Sequence, residues 1–173
     1  YGLPSPKGFS RGMVLSLSLQ LIKVLNQRSV GKYVGVVLPP GLAGFVANFA
    51  LLLSGRIPVN LNFTQGTDLN QQILSVTNIE TILTASRVVD KFPEFPWSED
   101  LFWVDHFLAS CSRQPLCLLS TFARIWLRPQ QIRKELLVSP ESERETAVIL
   151  FTSGSSGKPK GVGLSHRNIL YNC

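Results

Sequence analysis

Short apolar runs rich in β-branched residues alternate with helical segments along much of this 173-residue chain. "KYVGVVLPPG" (32–41), "RIPVNLNFT" (56–64) and "IETILTA" (79–85) have the length and composition of buried strands. An apolar segment at 42–54 and an amphipathic segment at 68–78 lie between them and are predicted helices. Strands that alternate with helices at this spacing build βαβ units. We therefore predict an α/β fold with a mostly parallel sheet and helices on both faces.

Other segments extend this pattern towards both ends of the chain. Residues 11–27 have helical spacing, and "DLFWVD" (100–105) is a further candidate strand. "RETAVILFTSG" (144–154) is a predicted strand that runs directly into a glycine-rich loop. Hydrophobic residues make up 45% of the chain and charged residues 16%, which is typical of a globular domain and excludes disorder.

The charge and the cysteines limit the partners that we expect. The net charge is +6, but Lys and Arg are scattered, so no nucleic-acid partner is predicted. The three cysteines, Cys111, Cys117 and Cys173, lack metal-ligand spacing, and we interpret them as reduced thiols. Because the cysteines lack metal-ligand spacing, we expect no metal site. No secretory signal pattern is present, and together with the reduced thiols this predicts a cytoplasmic protein.

One segment, residues 108–137, allows two interpretations. It combines apolar residues with arginines and could form an amphipathic helix on a membrane surface. It could equally form helices that pack on the domain with solvated arginines. We favour packing on the domain, because apolar sequence is normal in helices that cover a sheet. Peripheral membrane contact through 108–137 remains the alternative.

The richest chemical signal is "FTSGSSGKPKGVGLSHRN" (151–168), in which we expect a loop from Thr152 to Val162. Glycines let successive N–H groups converge on an anion, hydroxyls add neutral donors, and Lys160 adds a positive charge. The glycine spacing fits neither a Walker A loop nor GxGxxG. A flexible Gly/Ser linker is the alternative. Pro159 and the preceding buried strand are unusual in a linker, so we predict phosphate binding.

This stretch closely resembles the phosphate-loop signature of the adenylate-forming superfamily, which includes acyl-CoA synthetases, luciferases and nonribosomal peptide adenylation domains. The family pattern is roughly Thr-Ser-Gly-Ser/Thr-Thr-Gly-x-Pro-Lys-Gly-Val, followed by a His that matches His166. The sequence departs from it at Ser156, which keeps a hydroxyl. Residues 34–64 resemble the fatty-acid branch, closest to acyl-acyl-carrier-protein synthetases and the 2-acylglycerophosphoethanolamine acyltransferase type. The likeness runs from about residue 11 to the end.

The resemblance implies a two-step activation of a carboxylic acid, with ATP and Mg²⁺ as cofactors. A fatty acid or other carboxylate would form an acyl adenylate with release of pyrophosphate, and acyl-carrier protein or CoA would then accept the acyl group. No catalytic residue is assigned, and Lys160 is expected on the β/γ-phosphates. The expected cofactor-binding residues are Thr152, Ser153, Gly154, Ser155, Ser156, Gly157 and Lys160.

Several family motifs do not occur in the sequence: the adenine-binding and ribose-binding motifs, the hinge and the lysine of the small C-terminal domain. We therefore expect residues 1–173 to be the N-terminal portion of the large adenylation domain, truncated just after the phosphate loop, with the small C-terminal domain absent. Such a chain alone should be inactive. The alternative is a non-catalytic phosphate- or nucleotide-binding module derived from that family. We expect structural roles for His106 and His166, with Ser165 as the N-cap of a helix.

Overall fold

A computed structural model describes residues 9–136, 145–153 and 159–171. The helices are α1 (Arg11–Asn26), α2 (Leu42–Leu53), α3 (Thr67–Thr77), α4 (Ser86–Lys91), α5 (Val104–Arg113), α6 (Pro115–Leu127), α7 (Pro129–Glu135) and α8 (His166–Tyr171). The strands are β1 (Tyr33–Val36), β2 (Ile57–Asn60), β3 (Thr81–Thr84), β4 (Asp100–Trp103), β5 (Thr146–Ser153) and β6 (Pro159–Ser165).

The strands form a six-stranded sheet in the order β4-β3-β1-β2-β5-β6. Strands β1 to β5 pair in parallel, and β6 pairs antiparallel with β5 at the edge of the described sheet. The predicted α/β fold with a mostly parallel sheet is therefore confirmed. Because β1 to β5 run in the same direction, the segments that follow them meet at one edge of the sheet.

Helices α1, α2 and α5 cover one face of the sheet. In α2, the buried residues Val46, Ala47, Ala50 and Leu51 recur at helical spacing and face the strands. Side chains from all three helices pack on Val34 of β1 and its neighbours in a single apolar cluster. Burying one such Val or Leu side chain stabilises a fold by about 1.5–3 kcal/mol. The apolar run at 42–54 is thus a core helix, as predicted.

Helices α3 and α4 cover the opposite face. A second apolar cluster joins Ile73 of α3 and Val88 of α4 to Val59 of β2 and Ile82 of β3. Ile149 and Phe151 of β5 pack against the same cluster. In β3 and β4, neighbouring residues pack into different clusters: Ile82 and Leu101 lie in the second cluster, whereas Leu83 and Phe102 lie in the first. Burial on both faces explains why these strand sequences are largely apolar.

The described residues of the segment 108–137 form the end of α5, then α6 and α7. Helix α6 packs on α1, where the Gln20 side chain donates a hydrogen bond to the Thr121 hydroxyl and Phe122 lies against Gly12. Packing on the domain, the favoured interpretation, is thus what the described residues of this segment show. No helix in the described part of the chain combines the length and apolar character needed to cross a bilayer.

The element predictions agree closely with the structure. The predicted helices at 11–27, 42–54 and 68–78 are α1, α2 and α3, and the predicted strands are β1 to β5. The short helix α4 and the edge strand β6 were not predicted. Because β6 begins at Pro159, the expectation that the loop continues to Val162 is wrong.

Candidate phosphate-binding site

The β5–β6 hairpin carries the residues of the glycine-rich motif. Thr152 lies opposite Lys160, and Ser153 lies opposite Pro159, at the closed end of the hairpin. Residues directly opposite each other in an antiparallel pair have Cβ atoms about 4.5–5.5 Å apart and project from the same face. Thr152 and Lys160 are both exposed. The structure therefore places the Thr152 and Lys160 side chains as neighbours on one accessible face.

The remaining predicted residues belong to the connection between the two strands. Gly154, Ser155, Ser156 and Gly157 lie outside the described residues. Ser153 ends β5, so its backbone is placed at the start of this connection. The predicted binding roles of these five residues stay predictions.

A glycine in β6 fixes how closely the two strands of the hairpin approach. A Cβ added at Gly161 would lie 3.0 Å from Cε1 and 3.2 Å from Cζ of Phe151, its partner across the hairpin. The missing side chain thus leaves room for the Phe151 ring, which packs into the core beneath α3 and α4. The sequence predicts that Gly161 belongs to a phosphate-binding loop, whereas in the structure it lies within β6 and packs against Phe151.

Strand β2 is the parallel neighbour of β5, and a buried amide holds the segment that follows β2. Nδ2 of Asn70, on α3, donates to the carbonyl oxygens of Asn62 (3.1 Å), Gly66 (3.3 Å) and Gln65 (3.4 Å). Asn70 is fully buried, and its Oδ1 has no partner among the described residues. Oδ1 of Asn62 in turn accepts from the amide of Thr64 at 2.9 Å. This turn is held rigidly at the sheet edge at which β5 also ends.

The charge around the hairpin suits an anionic ligand. No Asp or Glu occurs from Thr146 to Cys173, whereas Lys158 and Lys160 are cationic. Hydroxyl, backbone N–H and ammonium groups are the donors that phosphate oxygens accept from. The described residues hold no group of three His, Cys, Asp or Glu side chains suited to a metal ion.

His166 lies at the opposite end of the hairpin. Its amide donates to the Glu145 carbonyl at 3.3 Å, beside the start of β5. Strand β6 extends about 3.4 Å per residue, so Ser165 lies about 17 Å from Lys160. The Ser165 hydroxyl accepts from the Asn168 amide at 3.2 Å, and the Ser165 amide donates to Asn168 Oδ1 at 3.0 Å, which forms a reciprocal cap. The predicted N-cap is confirmed, and His166 is placed to brace the hairpin.

A second polar cluster at the same sheet edge was missed in the sequence. Ser86 follows β3 and Asp105 follows β4, and Oδ2 of Asp105 accepts from both the amide (3.0 Å) and the hydroxyl of Ser86. Nε2 of His106 lies 3.2 Å from the Ser86 hydroxyl, and its ring packs near Trp103. The Ser86 hydroxyl is thus a polar partner of the His106 ring. Ser86 directly follows the predicted strand at 79–85, and Asp105 is the last residue of the predicted strand at 100–105. Polar residues at the ends of two predicted strands were the signal that could have found the cluster.

The geometry of this second cluster indicates a structural role. The Ser86 hydroxyl donates its hydrogen bond to Asp105, so His106 does not accept that proton as the base of an activated nucleophile would. Burial acts to raise the pKa of Asp105. Hydrogen bonds from the Ser86 hydroxyl and amide and from the His106 amide, with the positive charge of the His106 ring, outweigh burial and lower that pKa. The carboxylate thus satisfies an amide at the start of α4.

The two cysteines among the described residues are free thiols. Cys111 is half-buried and Cys117 is exposed. Burial and the neighbouring Cys117 raise the pKa of Cys111. Cys173 lies outside the described residues.

Together, the parallel sheet and the exposed cationic hairpin at its carboxyl edge define an α/β protein with a candidate anion-binding site. The chain matches the AMP-binding enzyme family over residues 10–173 and belongs to that family. Its sequence is 30% identical over 177 residues to a 4-hydroxyphenylalkanoate adenylyltransferase from Mycobacterium marinum, covering 98% of this chain and 26% of that protein. It is 28% identical to the long-chain-fatty-acid–AMP ligase FadD28 from Mycobacterium tuberculosis, covering 83% of this chain and 23% of that protein.

Solved structures share the fold. The N-terminal subdomain of Klebsiella oxytoca NpsA superposes with a TM-score of 0.58 at 19% identity, covering 90% of this chain and 34% of that chain. A fatty acyl-adenylate ligase from Legionella pneumophila, in complex with acyl adenylate and pyrophosphate, superposes with a TM-score of 0.59 at 20% identity. That match covers 93% of this chain and 25% of that chain. The chain thus spans about a quarter of the two curated relatives.

Proposed function

We propose that this chain is the N-terminal portion of the large domain of an ATP-dependent ligase that activates a fatty acid. The acid is joined to AMP with release of pyrophosphate, and the acyl group then passes to the thiol of acyl-carrier protein or CoA. The observation that carries this proposal is the Thr152–Lys160 pair at the closed end of a hairpin built from the adenylate-forming motif. The names of the Mycobacterium tuberculosis and Legionella pneumophila relatives support a fatty-acid substrate.

The donor set around the hairpin fits a polyphosphate. Thr152 and Lys160 are exposed on the same face, and no acidic residue occurs from Thr146 onwards to repel an anion. ATP, bound with Mg²⁺, would supply the α-phosphorus that the carboxylate attacks and the pyrophosphate that leaves. Nothing in the described hairpin opposes this fit.

Each residue of the hairpin has a specific role in this proposal. The Lys160 ammonium holds the oxygens of the β- and γ-phosphates, and the Thr152 hydroxyl donates a hydrogen bond beside it. Backbone and hydroxyl donors of residues 153–157 complete the cradle. Phe151 packed against Gly161 holds the two strands in register, so that the donors are oriented before negative charge grows on the leaving group.

The proposal assigns the phosphate site to this chain and the nucleoside site to another part of a longer protein. Residues 1–173 contain no adenine-binding motif of the Tyr-Gly-x-Thr-Glu type and no ribose-binding motif. We therefore expect this chain alone to form no adenylate. Robust ATP–pyrophosphate exchange by residues 1–173 alone would contradict that part of the proposal.

The function is tested by ATP–pyrophosphate exchange in the full-length protein, with fatty acids of graded length and an aromatic acid as substrates. Exchange should depend on a fatty acid, and Lys160→Ala should reduce it about a hundredfold, because phosphate-clamping cations act where charge develops. Arg167→Ala is the matched control, since it removes an exposed cation from the start of α8, past the far end of the hairpin. If only the aromatic acid supports exchange, the proposed substrate class is wrong and is an aromatic acid. If Lys160→Ala and Arg167→Ala have equal activity, the assignment of Lys160 to the phosphates is overturned.

A further inference from the structure

Helix α6 presents apolar side chains on two sides. Its inner side packs on α1 through Thr121, Phe122 and Leu118. Its outer side exposes large apolar residues to solvent. The exposed fractions are 79% for Leu116, 62% for Leu119, 72% for Trp126 and 79% for Leu127.

These four residues lie along one side of α6, and we call them the α6 stripe (Leu116, Leu119, Trp126 and Leu127). Positions separated by three, seven and eleven residues fall on the same side of a helix that turns every 3.6 residues. The stripe is about 17 Å long at 1.5 Å per residue. Single exposed apolar residues are normal on a protein surface, whereas an aligned set with a tryptophan marks an interaction surface.

An exposed arginine flanks the α6 stripe at each end. Arg113, at the end of α5, precedes the stripe, and Arg128 follows its last residue; both are exposed. The sequence from His106 to Lys134 contains no Asp or Glu and five Lys or Arg residues. An apolar stripe with an exposed arginine at each end matches the interface of an anionic bilayer, where tryptophan side chains are enriched.

The same charge pattern disfavours a second copy of the chain as the occupant. Two identical stripes packed face to face would bring the arginines that flank them, Arg113 and Arg128, close to those of the other copy. We propose that the α6 stripe docks on the surface of an anionic lipid membrane, with helix α6 in the plane of the interface. Leu116, Leu119, Trp126 and Leu127 enter the headgroup region, while Arg113 and Arg128 contact lipid phosphates. This surface function goes beyond the proposed activity and does not depend on it.

Vesicle co-sedimentation tests the proposal directly. The protein should bind vesicles of phosphatidylcholine mixed with phosphatidylglycerol, bind phosphatidylcholine alone about tenfold more weakly, and lose binding as salt rises. Combined replacement of the α6 stripe by serine should weaken binding about a hundredfold, because partitioning scales with buried apolar area. Arg113→Gln combined with Arg128→Gln should weaken it about tenfold and remove the preference for anionic lipid.

The matched control is Val76→Ser, which removes an equally accessible apolar side chain from α3 on the other face of the sheet, where Val76 is 77% exposed. It should bind vesicles as the unchanged protein does. Circular dichroism checks that each variant is folded. If the serine variant does not fold, the test is whether the arginine variant loses the preference for anionic lipid. The fluorescence of Trp126 should shift to the blue on binding, and Trp126→Phe should abolish that shift.

Two results would overturn the proposal. The first is unchanged vesicle binding when the α6 stripe is replaced, or an equal loss in Val76→Ser. The second is a dimer in sedimentation equilibrium that the serine variant converts to monomer, which would assign the α6 stripe to a second copy of the chain.

Discussion

Two clusters of polar residues lie at the carboxyl edge of the sheet, and they differ in how their hydrogen bonds are used. After β3 and β4, the hydroxyl and amide of Ser86 are both bound to the Asp105 carboxylate. At the end of β5, Thr152 and Lys160 are exposed side by side on the hairpin. Polar groups whose hydrogen bonds are made within the fold stabilise it, and polar groups held together at the surface remain available to a ligand.

Asn70 also uses its hydrogen bonds within the fold, so its replacement should lower stability more than the replacement of Asp105 or Lys160. Asn70→Ala removes donors to three carbonyl oxygens, and its side chain is fully buried. We expect a loss of about 2–3 kcal/mol in the free energy of unfolding, because buried carbonyls lose their partner. Urea denaturation measures this loss. Gln71→Ala, at an exposed position of the same helix, should change stability by less than about 0.5 kcal/mol.

The packing of the hairpin gives the next largest expected effect. Gly161→Ala places a methyl group 3.0 Å from the Phe151 ring, so stability should fall by about 1–2 kcal/mol. Gly31→Ala is the control, since a Cβ added there has no neighbour within 4 Å. Equal effects of the two substitutions on thermal unfolding would contradict the close packing of Phe151 against Gly161.

The Asp105 cluster should affect stability less and in a pH-dependent way. Asp105→Ala removes the acceptor for the first amide of α4 and should cost about 1 kcal/mol at neutral pH. The pKa of Asp105 is lowered in the folded state, so the carboxylate stabilises the fold above the unfolded-state pKa. That contribution is lost as the pH falls through the lowered pKa. The gap between the unfolding curves of wild type and Asp105→Ala should therefore close in acid.

Asp90→Asn supplies the control for this pH dependence. Asp90 is exposed near the end of the same helix, where a negative charge is not stabilising. Its replacement should not lower stability at neutral pH. A gap for Asp105→Ala that persists at low pH would show that the carboxylate charge is not what holds α4.

Much of the fold could be predicted because the signal was local. The β-branched runs at β1, β2 and β3 and the periodic segments between them specify parallel βαβ units without tertiary information. Strand β6 was missed because "PKGVGLS" contains Pro159, Gly161 and Gly163, which are unfavourable in strands. The fold tolerates them because Pro159 is the first residue of an edge strand and Gly161 leaves room for Phe151.

The candidate site was predictable only in part. The motif identified Thr152 and Lys160, but their position opposite each other depends on an antiparallel pairing that the sequence pattern did not reveal. Helix α4 was missed because it is only six residues long and is capped by Asp105 from another segment. The polar cluster could have been expected, since parallel strands bring the residues that follow them to one edge.

The most direct test of the account is a calorimetric titration of the protein with pyrophosphate. Lys160→Ala should leave the free energy of unfolding within about 0.5 kcal/mol, because the side chain is exposed. It should weaken pyrophosphate binding about tenfold, since a charge-assisted contact is lost. Arg167→Ala should leave binding unchanged. Equal affinities for wild type and Lys160→Ala, or an equal loss in Arg167→Ala, would contradict the assignment of the phosphate site to this hairpin.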